Sequence, residues 1–321
     1  MRILTILAVL AALGWGGYWF VGSRGLDRAI TAGLSRLPQV QVDGFSIRGF
    51  PNRFDVTFDA PQVQAQGMQW SAPFAQVFAL SYRLNHLLAV FANTQRLTGP
   101  GFDATLISED MRASLVMEAG LDLPLERLTL VGEALTLSLA GQSHLADTLR
   151  AASRRITDTR QEVVILLENV YPDPDLMDRL DSQGLWPRAF QVLRLDGQVE
   201  TDRPLDRYLI GGPQPRIVSA ALTGGRIAWA GVDITASGRL EPGADGLLSG
   251  DVQISVTGYR ALLETARAAG WIPADSMTML SIAAQSLEDP TDPETLRADL
   301  TVANGTLRLG PLVLGQFPAL F

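Results

Sequence analysis

Polar and apolar residues alternate strictly from residue 53 to residue 59 (RFDVTFD), the period-2 signature of a strand with one greasy face and one wet face. Phe54, Val56 and Phe58 form its apolar side. The same pattern returns farther on. Leu135, Leu137 and Leu139 alternate with Thr136 and Ser138, and Val252, Ile254 and Val256 alternate with Gln253 and Ser255. Gly49, Phe50 and Pro51 precede the first strand where the chain must reverse, Gly for its tolerance of unusual backbone angles and Pro for its preset φ. Residues 42–61 therefore read as a hairpin. Asn304 and Gly305 stand between two further alternating runs, a strong short-range hairpin signal.

Strand patterns recur every ~8–12 residues, a spacing that favours antiparallel meanders over βαβ units. Helices are few: 259–269 ending at Gly270, 275–287 after Pro273, and 174–181 after Asp173, an N-cap residue type. Residues 144–155 are helical by composition yet run into a strand, and they fit either element. The expected fold class is α+β, predominantly β: a long curved antiparallel sheet, or a sandwich of hairpins, with a few short helices. So few helices leave many apolar strand faces without cover. Either two sheets bury those faces against each other, or one curved sheet keeps a greasy groove that a ligand fills.

Ahead of the sheet runs a stretch of 21 uncharged residues, 3–23, between Arg2 and Arg24. About 20 apolar residues in a helix cross a bilayer. Trp15, Tyr18, Trp19 and Phe20 gather at its far end, as in an interfacial aromatic belt, and fill the zone where a cleaved signal peptide carries small residues. The expectation is an uncleaved single-pass anchor at 1–24 in a bacterial inner membrane, with a β-rich domain at 25–321 in the periplasm. A division of that domain into halves falls near 145–170. Leu26, Ile30, Leu34 and Leu37 repeat at helical spacing until Pro38, as a helix that extends the anchor or packs on the sheet.

Composition removes several function classes. The 321-residue chain carries a formal charge of −8, and all 26 of its basic residues are Arg. An acidic surface argues against nucleic acid as a partner, because binding there needs clustered positive charge. Without Cys there is no disulfide, no thiolate nucleophile and no Cys-ligated zinc. The two histidines, His86 in an apolar strand and His144 in a polar turn, read as a hydrogen-bonded structural residue and a solvated one. Two acidic stretches, 171–181 (YPDPDLMDRLD) and 287–295 (LEDPTDPET), have oxygen ligands for a hard cation, but their prolines favour caps and solvated turns. The expectation is a protein that is not an enzyme, with no catalytic residues, no metal and no cofactor.

Several of these segments together resemble a known family. Gly49-Phe50-Pro51 with Arg53-Phe54-Asp55, Trp70-Ser71-Ala72-Pro73, Tyr82 with Asn85-His86, the paired glycines of 240–250, and Asn304-Gly305 to Gly315-Gln316-Phe317-Pro318 are similar to the domain of unknown function 2125 family of alphaproteobacteria. The resemblance implies a membrane-anchored periplasmic β-rich protein. Hairpins of this type are also similar to those of AsmA-like envelope proteins, whose grooved sheets imply lipid carriage. The expected function is binding or carrying phospholipid or another apolar ligand on an apolar sheet face, lined by Phe54, Val56, Phe58, Leu135, Leu137, Leu139, Val252, Ile254 and Val256. The alternative is a periplasmic scaffold that meets envelope protein partners through open strand edges.

Overall fold

The computed structural model describes residues 2–65, 67–181, 184–209, 212–213, 215–243, 245–268 and 277–317. Helix α1 (Arg2–Arg36) is unbroken, so the repeat from Leu26 onward extends the apolar run and no second helix forms. The chain folds into two compact units, one comprising Met1–Gly132, Leu137–Gly141 and Asp206–Gln214, the other Glu133–Thr136, Gln142–Leu205 and Pro215–Phe321.

The first unit carries β1 (Val40–Gln41), β2 (Gly44–Arg48), β3 (Arg53–Asp59), β4 (Gln62–Ala65), β5 (Met68–Ser71), β6 (Phe74–Leu80), β7 (Arg83–Phe91), β8 (Thr94–Gly99), β9 (Phe102–Ile107) and β10 (Asp110–Met117). Strand β11 (Leu125–Leu139) is divided between the units. β2 pairs with β3 and β1 with β4, so 40–48 and 53–65 are the arms of one hairpin, each interrupted for two residues. The same relation joins β3 to β6 and β4 to β5, β6 to β7 and β5 to β8, then β7 to β10 and β8 to β9. The result is an antiparallel meander of five long strands, each bent at a two-residue corner.

The corners follow from their residues. Pro61 and Pro73 supply no ladder donor, and Ala60 adopts φ +44°. Ala72, Ala92 and Ser108 are buried there, small enough for the two arms to close. The Asn93 amide donates to the carbonyls of Ser108 at 2.9 Å and Glu109 at 3.0 Å, tying one corner to the next. Inside the bend, Trp70 of one arm meets Phe91 of the other edge-on at 6.0 Å. Buried Gln95 accepts from Trp70 Nε1 at 3.0 Å and donates to Met111 Sδ at 3.0 Å, so its amide is satisfied. Helix α1 covers Phe54 as well: the Trp19 ring stacks on it at 6.0 Å. A Cβ at Gly22 would stand 2.9 Å from the same ring, which is why the helix needs glycine here.

The second unit is a meander of longer, uninterrupted strands: β12 (Gln142–Arg155), β13 (Arg160–Tyr171), β14 (Phe190–Thr201), β15 (Ile217–Trp229), β16 (Val232–Pro242) and β17 (Leu248–Thr257). β18 (Glu288–Asp289), β19 (Asp292–Ala303), β20 (Thr306–Leu309) and β21 (Leu312–Gln316) complete it. α2 (Pro174–Leu180) links β13 to β14, and α3 (Tyr259–Ala268) and α4 (Met277–Gln285) stand between β17 and β18. β17 pairs with β19. Residues 144–155 are strand: Leu145 and Leu149 mimic a helical repeat, but the stretch forms a long ladder with β13. Gly250, at φ +148°, lets β16 and β17 approach so closely that a Cβ would fall 2.0 Å from the Arg239 carbonyl. Asn304 and Gly305 form the expected β19–β20 turn, with Val302 opposite Leu307. The expected C-cap Gly270 and the residues before Met277 lie outside the described residues. The class expected from the sequence is the one observed: predominantly β, antiparallel, with few short helices and an N-terminal apolar helix.

Candidate ligand-binding face

Residues opposite one another in register share a face of a sheet, and the second unit sorts its side chains cleanly by that rule. One row across seven strands reads Leu149, Leu167, Leu193, Ile227, Ile234, Val256 and Leu296. The next row on the same face reads Ala151, Ile165, Leu195, Gly225, Ala236, Ile254 and Ala298. Every position is apolar. With strands about 4.8 Å apart, seven of them make a row of roughly 30 Å.

The opposite face is polar and internally paired. Arg154 meets Glu162 at 2.6 Å, Arg160 meets Glu200 at 2.9 Å, Arg194 meets Asp196 at 2.6 Å and Arg226 meets Asp233 at 2.5 Å. A hydrogen bond from Arg194 holds the Asp196 carboxyl below the usual carboxylate range. A shallow hollow of about 550 Å³ opens on this side, lined among others by Arg194, Arg226, Thr235, Gln253 and Arg297. Each of its three guanidinium groups already has a carboxylate partner.

Cover on the apolar face is uneven. Near β19, Ala298, Leu300 and Val302 are buried, and α3 packs against β16 and β19 through its buried Tyr259 and Ala266. Toward β12–β15 the face opens: Leu145 is 44% exposed, Ile165 38%, Leu195 43% and Ile227 39%.

The residues expected to line a ligand face are distributed between the units. Val252, Ile254 and Val256 lie half-buried on the face just described. Leu135 is buried and belongs to the second unit, whereas Leu137, 38% exposed, and half-buried Leu139 belong to the first. Phe54 and Val56 are buried inside the bent meander, and Phe58 faces Phe45 there at 6.2 Å. Leu145, Ile165, Leu195 and Ile227 escaped the sequence reading. In β13 the run Val163-Val164-Ile165-Leu166-Leu167 is apolar at every position and hides which residues share a face.

The polar candidates serve the fold. His86 Nε2 lies 3.0 Å from Ser114 Oγ, within its strand pair. His144 is not solvated: it is half-buried, and its Nδ1 accepts from the Asp173 N–H at 3.1 Å. Asp173 caps α2 and also accepts from the Ser143 N–H at 2.9 Å, the strongest influence lowering its pKa. Asp181 and Asp289 are buried, contrary to the solvated turns expected of both acidic stretches. Burial pushes Asp181 up, but donation from Trp186, Leu185 and Gly184 with the charge of Arg188 leaves it below the ordinary value. Asp289 is held low by the Thr291 hydroxyl at 2.6 Å and N–H at 2.8 Å, with Arg297 at 2.5 Å. Among the described residues no three His, Asp or Glu side chains come together as metal ligands would.

These features define a class: a β-meander protein whose sheet is apolar on one side and ion-paired on the other, behind a helix long and apolar enough to cross a membrane. The chain belongs to the DUF2125 family, described as an uncharacterized protein conserved in bacteria, whose model matches residues 19–318. No curated protein and no solved structure matches it.

Proposed function

We propose that the protein is a membrane-anchored, non-enzymatic carrier that shelters phospholipid acyl chains on the open apolar face of β12–β15, with its body in the bacterial periplasm. The observation that carries this reading is the group of part-exposed apolar residues Leu145, Ile165, Leu195 and Ile227 on one face of a sheet whose reverse side carries the ion pairs Arg160–Glu200, Arg194–Asp196 and Arg226–Asp233. Exposed apolar patches on soluble surfaces mark interaction sites. One leaflet contributes about 15 Å of hydrocarbon, half of a ~30 Å bilayer core, and the apolar rows are long enough to receive it. The anchor keeps the face near its supply of lipid. Structural engagement of both histidines supports a role without catalysis.

The test is lipid extraction and mass spectrometry of the full chain purified in detergent, beside Ile165→Gln/Leu195→Gln. Phospholipid recovered with the parent and reduced several-fold in the variant is the expected result; equal recovery from both removes the face from consideration.

A second reading, a scaffold that takes up a partner strand, is favoured by β21. Its consecutive Leu312, Val313 and Leu314 are all exposed, and it pairs with β20 along one edge. Crosslinking in cells from residue 313 separates the readings, because a scaffold yields one reproducible protein adduct.

A further inference from the structure

Helix α1 and the hairpin ends of the first unit meet in an unusual way. Trp15 Nε1 donates to the Pro51 carbonyl and to Asn52 Oδ1, both at 3.1 Å, and Trp19 Nε1 donates to the Arg53 carbonyl at 2.7 Å. Tyr18 donates to the Ser81 carbonyl at 2.6 Å. Phe50 sits edge-on to the Trp19 ring at 5.4 Å. The β2–β3 and β6–β7 turns are thus fixed to the helix inside its uncharged stretch, not beyond it. At about 1.5 Å per residue, Trp19 and Trp15 lie roughly 6 and 12 Å back from Ser23, the end of that stretch.

These turns present large apolar side chains outward. Phe50 is 63% exposed, Tyr82 66% and Leu84 57%. The β10–β11 loop reaches the same end of the sheet, since the Asn85 amide bonds the Met117 carbonyl at 2.8 Å, and its Leu121 is 84% exposed. Arg48 and Arg83 flank these positions, exposed and without an ion pair among the described residues. Three backbone carbonyls at these turns, those of Pro51, Arg53 and Ser81, are satisfied by Trp15, Trp19 and Tyr18, as lipid contact demands.

We propose that Phe50, Tyr82, Leu84 and Leu121 form a second membrane contact, a rim of hairpin tips that enters the headgroup and upper acyl region of the bilayer that α1 spans. The inference rests on the reading of α1 as an anchor. Interfacial segments bury their apolar face by about 5–10 Å, and Trp19 joins the β2–β3 turn within that range, roughly 6 Å in from Ser23. Arg48 and Arg83 then face anionic headgroups. The bilayer fixes the orientation of the first unit at several points, where a lone helix would let it swivel.

The chain has no Cys, so an introduced thiol is unique. Full-length Leu7→Cys, Phe50→Cys, Tyr82→Cys, Leu121→Cys and Pro100→Cys, labelled with an environment-sensitive fluorophore, are reconstituted into phosphatidylethanolamine/phosphatidylglycerol vesicles and quenched by spin-labelled lipid. Pro100 lies in the β8–β9 turn, at the far end of the bent strands. Quenching at 7, 50, 82 and 121 several-fold above that at 100 is the expected result. Quenching at 7 with 82 and 121 no better than 100 overturns the rim and leaves the anchor standing. No quenching at 7 overturns both. Tyr82 and Leu121 keep the test valid if loss of the Phe50 ring disturbs folding.

Discussion

The two units use the same material and treat it oppositely. In the first, five strands bend at two-residue corners and close over their own apolar side, with α1 sealing Phe54. In the second, strands of similar alternation run on without such interruptions, and the apolar face toward β12–β15 stays part-exposed. Hydrophobicity does not distinguish them: Phe54 and Ile165 both point from an alternating or apolar strand toward a greasy side. Cover is decided by backbone interruptions, by Pro61, Pro73 and the Asn93 bridge, and by a helix with a glycine where a ring must fit.

The largest expected effect tests that contrast directly. Phe54→Ala lowers stability by about 3–5 kcal/mol, as loss of an enclosed aromatic ring does, whereas Ile165→Ala costs about 1 kcal/mol because its side chain is already part wet. Urea titrations of the full chain in detergent measure both, and equal losses would erase the distinction. Next comes Gly22→Leu, which overpacks the helix against Phe54 and costs about 1–3 kcal/mol; a red shift of the Trp fluorescence reports the loosened Trp19, and an unshifted spectrum would deny the helix its sealing role.

The smallest effect concerns acid. The buried carboxylates Asp173, Asp181 and Asp289 all belong to the second unit, and each has its pKa lowered in the fold. A lowered folded pKa contributes stability that is complete above the ordinary Asp value of about 3.9 and drains away as pH falls toward the folded value. Hydrogen-exchange protection around these three residues should therefore fall between pH 5 and pH 3 on the order of several-fold more than in 40–117, where the lowered carboxylates Asp103 and Asp110 sit in surface ion pairs that contribute little. Asp289→Asn should flatten that limb, and an unchanged limb would assign the acid sensitivity elsewhere.

Turn chemistry was the most legible part of the sequence. Gly49-Phe50-Pro51 and Asn304-Gly305 announced their hairpins, and Asp173 its helix, because each residue type suits one local backbone. The corners were hidden because Ala72, Ala92 and Ser108 are ordinary residues whose role appears only when two arms close on them. The open face was half legible. Clean alternation placed Val252, Ile254 and Val256, while the uniformly apolar run of β13 concealed Ile165. His144 looked like a turn residue because its partner, the Asp173 N–H, lies 29 positions away.

Strands that pair with their neighbours in the chain have a kinetic consequence. Local pairing means low contact order, and low contact order means rapid folding. A chain that emerges N-terminus first can add each hairpin to the edge left by the one before it, without waiting for its far end. The helix is fastened early on this schedule, since Trp19 reaches its acceptor 34 residues later and Tyr18 its own after 63. The bent meander of β1–β10 is thus able to settle on α1 while the later strands are still being made.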